Sequence, residues 1–176
     1  MQKAIRKIFV LYVLLLALNS CAGSYFKYLR QAEEYSRKKE YSKAIEAYKK
    51  HIKYRLAQEE RPKWENPYFY YLIIGDIYLG MNKPKKAIKA YSKAEKKGVD
   101  AGLVADRYRL VARWYEKQNK LEEAFDLLLK NRERDSLLFD IMLDRIAKKI
   151  SALEDQQNNS ENTPATSEGS AEKGKS

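Results

Sequence analysis

The sequence repeats itself three times, and this repetition constrains the fold more than any other feature. The copies begin at Tyr28, Tyr71 and Tyr108 and align without gaps. Spacings of three and four residues place the shared positions on one face of a helix. These positions are Tyr28, Ala32, Tyr35, Ala44 and Tyr48, then Tyr71, Gly75, Tyr78, Ala87 and Tyr91, and finally Tyr108, Ala112, Tyr115, Ala124 and Leu128, with Ala94 at a further small position.

The pattern resembles the tetratricopeptide repeat, a helix–turn–helix unit of about 34 residues. The resemblance implies an all-α solenoid with three helix–turn–helix units, at about 25–58, 68–101 and 105–135. It also implies that the small residue lets the first helix of a unit approach the second closely. The copies stand farther apart than tandem units do, because residues are inserted around Pro62 and Pro67 and around Gly98 and Gly102.

A last amphipathic stretch follows the third copy. Residues 136–153 contain a stripe of Leu137, Phe139, Ile141, Met142, Ile146 and Ile150. A terminal repeat needs a cap with one apolar and one polar face, so we expect these residues to form a capping helix. The alternative is a helix that binds a partner. Residues 154–176 are rich in Ser, Glu, Asn and Gly, and this composition predicts a disordered acidic and polar tail.

The first helix of each tetratricopeptide unit lines a concave groove in the family that the chain resembles. By that resemblance, the groove positions include Leu29, Leu72, Asp76, Arg109, Arg113 and Lys117. The last three residues are four apart, which places them in a row on one helical face. Such a row can bind carboxylates or phosphates. It can equally be a solvated surface that pairs with neighbouring acids.

Residues 1–20 have the pattern of an export signal. Three basic residues precede an apolar run at 8–18, which is shorter than the roughly 20 residues of a membrane span. The following Leu18-Asn19-Ser20-Cys21 resembles a bacterial lipobox. The resemblance implies that Cys21 receives diacylglycerol, that the chain is cleaved before it and that the new amino terminus is acylated. Because the next residue is Ala22, not Asp, family rules favour the outer membrane.

The charge is strongly positive, at +11 for the whole chain. A basic domain attracts anionic lipids, acidic polypeptides or nucleic acid, and because the chain has an export signal we expect no nucleic-acid partner. We therefore predict a lipoprotein of the cell envelope that serves as a protein-binding scaffold or adaptor. The alternatives are an accessory lipoprotein of an outer-membrane assembly or transport complex, and a surface lipoprotein that contacts host molecules. The sequence leaves the partner and the oligomeric state open.

Catalytic chemistry has no support in the sequence, so we expect no enzyme, no cofactor and no metal. The only histidine, His51, stands at a repeat packing position, and the chain has no Gly-rich phosphate loop. Trp64 lies between Pro62 and Pro67 in the first insertion. We expect its ring to fold back on a neighbouring helix, with a role as a recognition anchor as the alternative.

Overall fold

The computed structural model describes residues 26–161, and all regular structure in that range is helical. The predicted all-α class is therefore confirmed. Two short 3₁₀ turns, Pro67–Phe69 and Arg132–Arg134, accompany the α-helices. The helices are α1 Lys27–Arg37, α2 Tyr41–Leu56, α3 Tyr70–Gly80, α4 Pro84–Lys96, α5 Ala101–Lys117, α6 Leu121–Asn131 and α7 Ser136–Glu161.

The helices form three antiparallel hairpins, α1–α2, α3–α4 and α5–α6, each closed by the same turn. Lys39, Asn82 and Asn119 each adopt a left-handed backbone, with φ of 58°, 57° and 55°. The next residue in each turn donates its backbone N–H to the carbonyl of Tyr35, Tyr78 or Tyr115, at 2.9 Å in all three cases. This is the helix-ending arrangement in which one left-handed residue satisfies two orphan carbonyls. Three equivalent turns make the three hairpins locally alike.

Because each helix reverses the direction of the one before it, the molecule has two distinct ends. The turn end carries the three turns at 38–40, 81–83 and 118–120. The entry end carries the start of α1 and the connections 57–69, 97–100 and 132–135. Residues 1–25 therefore join the described part of the chain at the entry end.

Small residues occupy the helix crossings within each hairpin. Ala32, Gly75 and Ala112 are buried in α1, α3 and α5. A Cβ atom at Gly75 would lie only 2.1 Å from the Tyr91 ring of α4. The α3–α4 crossing thus depends on the missing side chain. The other recurring positions are buried at Ala44, Tyr48, Ala87, Tyr91, Ala94, Tyr108, Tyr115, Ala124 and Leu128, and half-buried at Tyr28, Tyr35, Tyr71 and Tyr78.

The insertion between the first two hairpins is held by an ion pair between the buried Arg55 and the half-buried Glu65. The Arg55 guanidinium at the end of α2 makes two hydrogen bonds to the Glu65 carboxylate, and its Nε lies 2.7 Å from Glu65 Oε1. The Asn66 side chain donates to the carbonyl of Lys97 at 3.1 Å. The insertion is therefore fastened to both α2 and the end of α4.

The third unit begins earlier than predicted. Asp100 caps α5 by accepting the Leu103 N–H at 3.0 Å, so the helix starts at Ala101, whereas the sequence placed the unit at 105–135. Gly98 makes the turn before it, with φ of +77°, but Gly102 lies within the helix. An aspartate followed by a helix-compatible run was the signal for this earlier start.

Helix α7 packs on the third hairpin through Phe139, Met142, Leu143 and Ile146, which are all buried. The predicted stripe was partly wrong, because Leu137 and Ile141 point to solvent. The helix also continues to Glu161, although the sequence predicted a cap ending at 153 and a tail starting at 154. Its residues at 151–158 are exposed, so this extension buries little surface.

Several predictions concern residues that the structure does not describe. The signal at 1–20, the lipidation site Cys21 and the part of the tail after Glu161 all lie outside the described range. Within residues 26–161, no helix is both long and apolar enough to cross a bilayer.

Candidate functional site

The predicted basic row on α5 is only partly available to a partner. The Arg109 side chain is 13% exposed and pairs with Asp106 and, at 2.8 Å, with Asp135 before α7. Its guanidinium also lies 5.6 Å from the centre of the Phe139 ring. Arg109 therefore fastens α7 to α5, and its assignment as a groove residue is corrected. Arg113 and Lys117 are exposed, and neither forms an ion pair within the described residues.

Helix α7 contributes two further cations next to these residues. Arg145 and Lys149 each donate a hydrogen bond of 2.6 Å to the Glu116 carboxylate on α5. Arg113, Glu116 and Lys117 share one face of α5 because they are three and four residues apart. We call these five residues, Arg113, Glu116, Lys117, Arg145 and Lys149, the α5–α7 cluster.

Glu116 is the one acid in the α5–α7 cluster, and its side chain is only 12% exposed. Burial alone would raise its pKa. The hydrogen bond from Lys149 and the charges of Arg145 and Lys149 outweigh that effect and lower the pKa below its usual value. The carboxylate is therefore ionised at neutral pH. Four cations then face one anion, which leaves the cluster at about +3.

This arrangement suits the binding of carboxylates. Arg113 offers a planar guanidinium for bidentate hydrogen bonds, and Lys117 adds a mobile ammonium. Arg145 and Lys149 remain about half exposed while bonded to Glu116, so they can also contact an incoming anion. The cluster spans two helices whose backbones are held in place by packing, so the positions from which its side chains extend are fixed.

The remaining predicted groove positions differ in their surroundings. Leu29 is half-buried against the core of the first hairpin. Leu72 is fully buried, so the prediction that it lines an open groove is wrong. A groove position that faces the next unit becomes core when that unit packs closely, and Leu72 belongs to the core cluster that contains Val104 and Tyr108 of α5.

Asp76 is occupied by contacts within the chain. It accepts a hydrogen bond from the Tyr91 hydroxyl at 2.8 Å and another from Arg107 at 3.4 Å. Burial and the neighbouring Asp76 charge raise the pKa of Tyr91 far above its usual value, so the hydroxyl stays protonated and donates. Asp76 therefore stabilises the contact between α3 and α4 and is not a free recognition group.

Sequence reasoning missed a lysine strip along α4. Its six lysines are all exposed, and none forms an ion pair among the described residues. Lys93 lies over the Tyr71 ring at 4.4 Å, and Lys86 and Lys97 lie over Tyr78 and Tyr68. The signal was present as lysines three and four residues apart with almost no intervening acid. The strip comprises Lys85, Lys86, Lys89, Lys93, Lys96 and Lys97.

The prediction that the Trp64 ring folds back on a neighbouring helix is wrong, because Trp64 is 85% exposed. Its ring borders a cavity of about 620 Å³ at the entry end, which His51 and Tyr70 also line. The His51 ring is buried, and its centre lies 4.7 Å from the centre of the Tyr70 ring. Burial and the nearby Arg55 charge lower the pKa of His51. His51 is thus a neutral packing residue at neutral pH.

No group of His, Cys, Asp and Glu side chains in residues 26–161 has the arrangement needed to hold a metal ion. No protein-family model and no curated protein matches the sequence. The function must therefore be inferred from the geometry of the surfaces described above.

Proposed function

We propose that this protein is a lipid-anchored helical scaffold of the tetratricopeptide type that binds an acidic segment of a partner protein in the cell envelope. Three alike hairpins with small residues at their crossings support the assignment to that type of repeat. The lipobox-like sequence before Cys21 supports the anchor, with the outer membrane as the proposed location. A basic surface supports the choice of an acidic partner.

The observation that carries the proposal is the composition of the α5–α7 cluster. Glu116 pairs with both Arg145 and Lys149, so one negative charge faces two positive charges. Arg113 and Lys117 add two further charges that no acid in the described residues neutralises. Each unneutralised cation repels the others, and a partner carboxylate removes that repulsion when it binds.

The direct test is photocrosslinking in intact cells. A photoreactive amino acid at Gln118, an exposed neighbour of Lys117, should crosslink the partner. Arg113→Glu with Lys117→Glu should reduce the yield of that same crosslink at least tenfold, because like charges across an interface cost several kcal/mol. The fold should persist, since surface charge changes usually alter stability by less than about 1 kcal/mol.

The lysine strip supplies the matched control. Lys85→Glu with Lys89→Glu makes the same charge change on α4 and should leave the Gln118 crosslink unchanged. If that pair of substitutions abolishes the crosslink and the Arg113 and Lys117 pair does not, the partner binds α4 and the assignment to the α5–α7 cluster is wrong. If neither pair has an effect, charge does not determine binding.

A further inference from the structure

The exposed apolar side chains of this protein are unevenly distributed. Four of them, Phe26, Trp64, Phe69 and Leu103, surround the mouth of the cavity at the entry end. The three turns at the opposite end carry none of the exposed large apolar side chains found in residues 26–161. Exposed apolar groups that gather in one place mark a surface that is covered in use.

Three more exposed apolar side chains lie at the entry end. Leu129 lies in the last turn of α6, and Leu137 and Leu138 lie in the first turn of α7. Residues 132–135 connect α6 to α7. Arg134 in this connection binds Glu95 of α4, and its Nε lies 2.8 Å from Glu95 Oε1. The three leucines are therefore further exposed apolar side chains at the entry end.

The geometry points to a lipid bilayer as the occupant of the entry end. This inference rests on the proposed function in one respect, the lipid on Cys21. Only residues 22–25 separate Cys21 from Phe26, and this tether spans at most about 18 Å when fully extended. Because Phe26 directly precedes α1 at the entry end, the anchored molecule keeps this end within about 18 Å of the bilayer.

The residue types at this end suit the boundary between lipid headgroups and acyl chains. Trp has an apolar body with one polar N–H, and it concentrates at that boundary. Lys63 precedes Trp64 and Lys27 follows Phe26, and both can extend their ammonium groups toward lipid phosphates. Glu59 and Glu60 offset part of this positive charge, whereas Arg61, Lys96 and Lys97 at the same end add to it. Apolar insertion and attraction to anionic headgroups therefore act together, and only the attraction weakens as salt rises.

Tryptophan fluorescence provides the test, because the two tryptophans lie at opposite ends. The Trp114 Nε1 donates to Asn82 Oδ1 in the turn end at 3.3 Å, whereas Trp64 lies at the entry end. The mature full-length protein is reconstituted in vesicles of phosphatidylethanolamine and phosphatidylglycerol with brominated acyl chains, which quench only nearby indoles. In the Trp114→Phe variant the tryptophan fluorescence comes from Trp64 alone, and in the Trp64→Phe variant it comes from Trp114 alone.

We expect brominated lipid to quench Trp64 several-fold more strongly than Trp114, and this quenching should persist in part as salt rises. Leu103→Glu with Leu137→Glu should reduce the quenching of Trp64, because buried charge opposes insertion. Leu110→Glu is the matched control, since Leu110 is exposed in the middle of α5 and should leave quenching unchanged.

Three results separate this inference from the proposed function. If the mass of the protein shows lipid on Cys21 and neither tryptophan is quenched, the bilayer surface is refuted and the anchor stands. If Trp64 is quenched in protein without lipid on Cys21, the surface stands and the anchor is refuted. If Trp64 becomes shielded from aqueous iodide without vesicles, in proportion to protein concentration, a second copy covers the entry end and the bilayer inference is wrong.

Discussion

Replacing Gly75 with alanine should destabilise the protein, although alanine normally favours helices. The new Cβ would lie 2.1, 2.6 and 2.8 Å from three atoms of the Tyr91 ring. Real Cβ atoms do not approach other atoms this closely, so the ring or the helix must move. Tyr91 is fully buried and cannot rotate into solvent.

The magnitude follows from three contributions. Alanine in place of glycine gains about 1 kcal/mol of helix propensity. Overpacking of a close-packed site costs about 1–3 kcal/mol. Moving Tyr91 also weakens its 2.8 Å hydrogen bond to the Asp76 carboxylate, which costs about 1.5–3 kcal/mol if the bond is lost. We expect a net loss of about 2–4 kcal/mol, which lowers Tm by roughly 4–16 °C in a chain of this size.

Thermal and urea unfolding followed by circular dichroism measure this loss. Gly80→Ala is the matched control in the same helix, because nothing lies within 4 Å of its added Cβ. That variant should be as stable as the natural protein or slightly more stable. Tyr91→Leu should recover part of the loss when combined with Gly75→Ala, since it makes room for the methyl group. If Gly75→Ala alone raises Tm, α3 and α4 do not cross at Gly75 as described.

Three further predictions concern the insertion, acid stability and the anchor. Arg55→Met should cost about 1.5–3 kcal/mol in urea unfolding, because it removes the charge-assisted hydrogen bonds to the half-buried Glu65 carboxylate. Hydrogen bonding from Arg55 lowers the pKa of Glu65 in the folded protein. The ion pair should therefore stabilise the fold fully above the pKa of Glu65 in the unfolded chain, near 4.5, and this stabilisation should disappear as the pH falls through the folded pKa. Cys21→Ala should abolish metabolic labelling with a fatty-acid analogue, and persistent label would contradict the anchor.

The helical hairpins could be predicted because their determinants are local. Small residues at Ala32, Gly75 and Ala112 recur at a fixed distance from the alanines of the second helices, and that distance defines the crossing. The shared turn was less visible. Asparagine often adopts the left-handed conformation, as at Asn82 and Asn119, but lysine rarely does. Lys39 in the first hairpin therefore conceals the common turn.

The candidate site could be predicted only in part, because it depends on contacts between distant segments. Arg113 and Lys117 were found from their spacing along one helix. Nothing local to Arg109 shows that Asp135 neutralises it from the connection before α7. Likewise, Arg145 and Lys149 reach Glu116 of α5 only because α7 packs on α6, the partner of α5 in the third hairpin. Leu72 was misplaced for the same reason, since its burial depends on the neighbouring hairpin.

The measurement that tests the central claim most directly is a titration of the purified full-length protein with a fluorescent polyglutamate peptide, followed by anisotropy. We expect saturable binding that weakens as salt rises, and at least a tenfold loss of affinity in the Arg113→Glu and Lys117→Glu variant. Glu116→Gln should bind more tightly than the natural protein, because it removes the carboxylate that competes for Arg145 and Lys149. Equal affinity in all three proteins would contradict the assignment of the α5–α7 cluster as the binding surface.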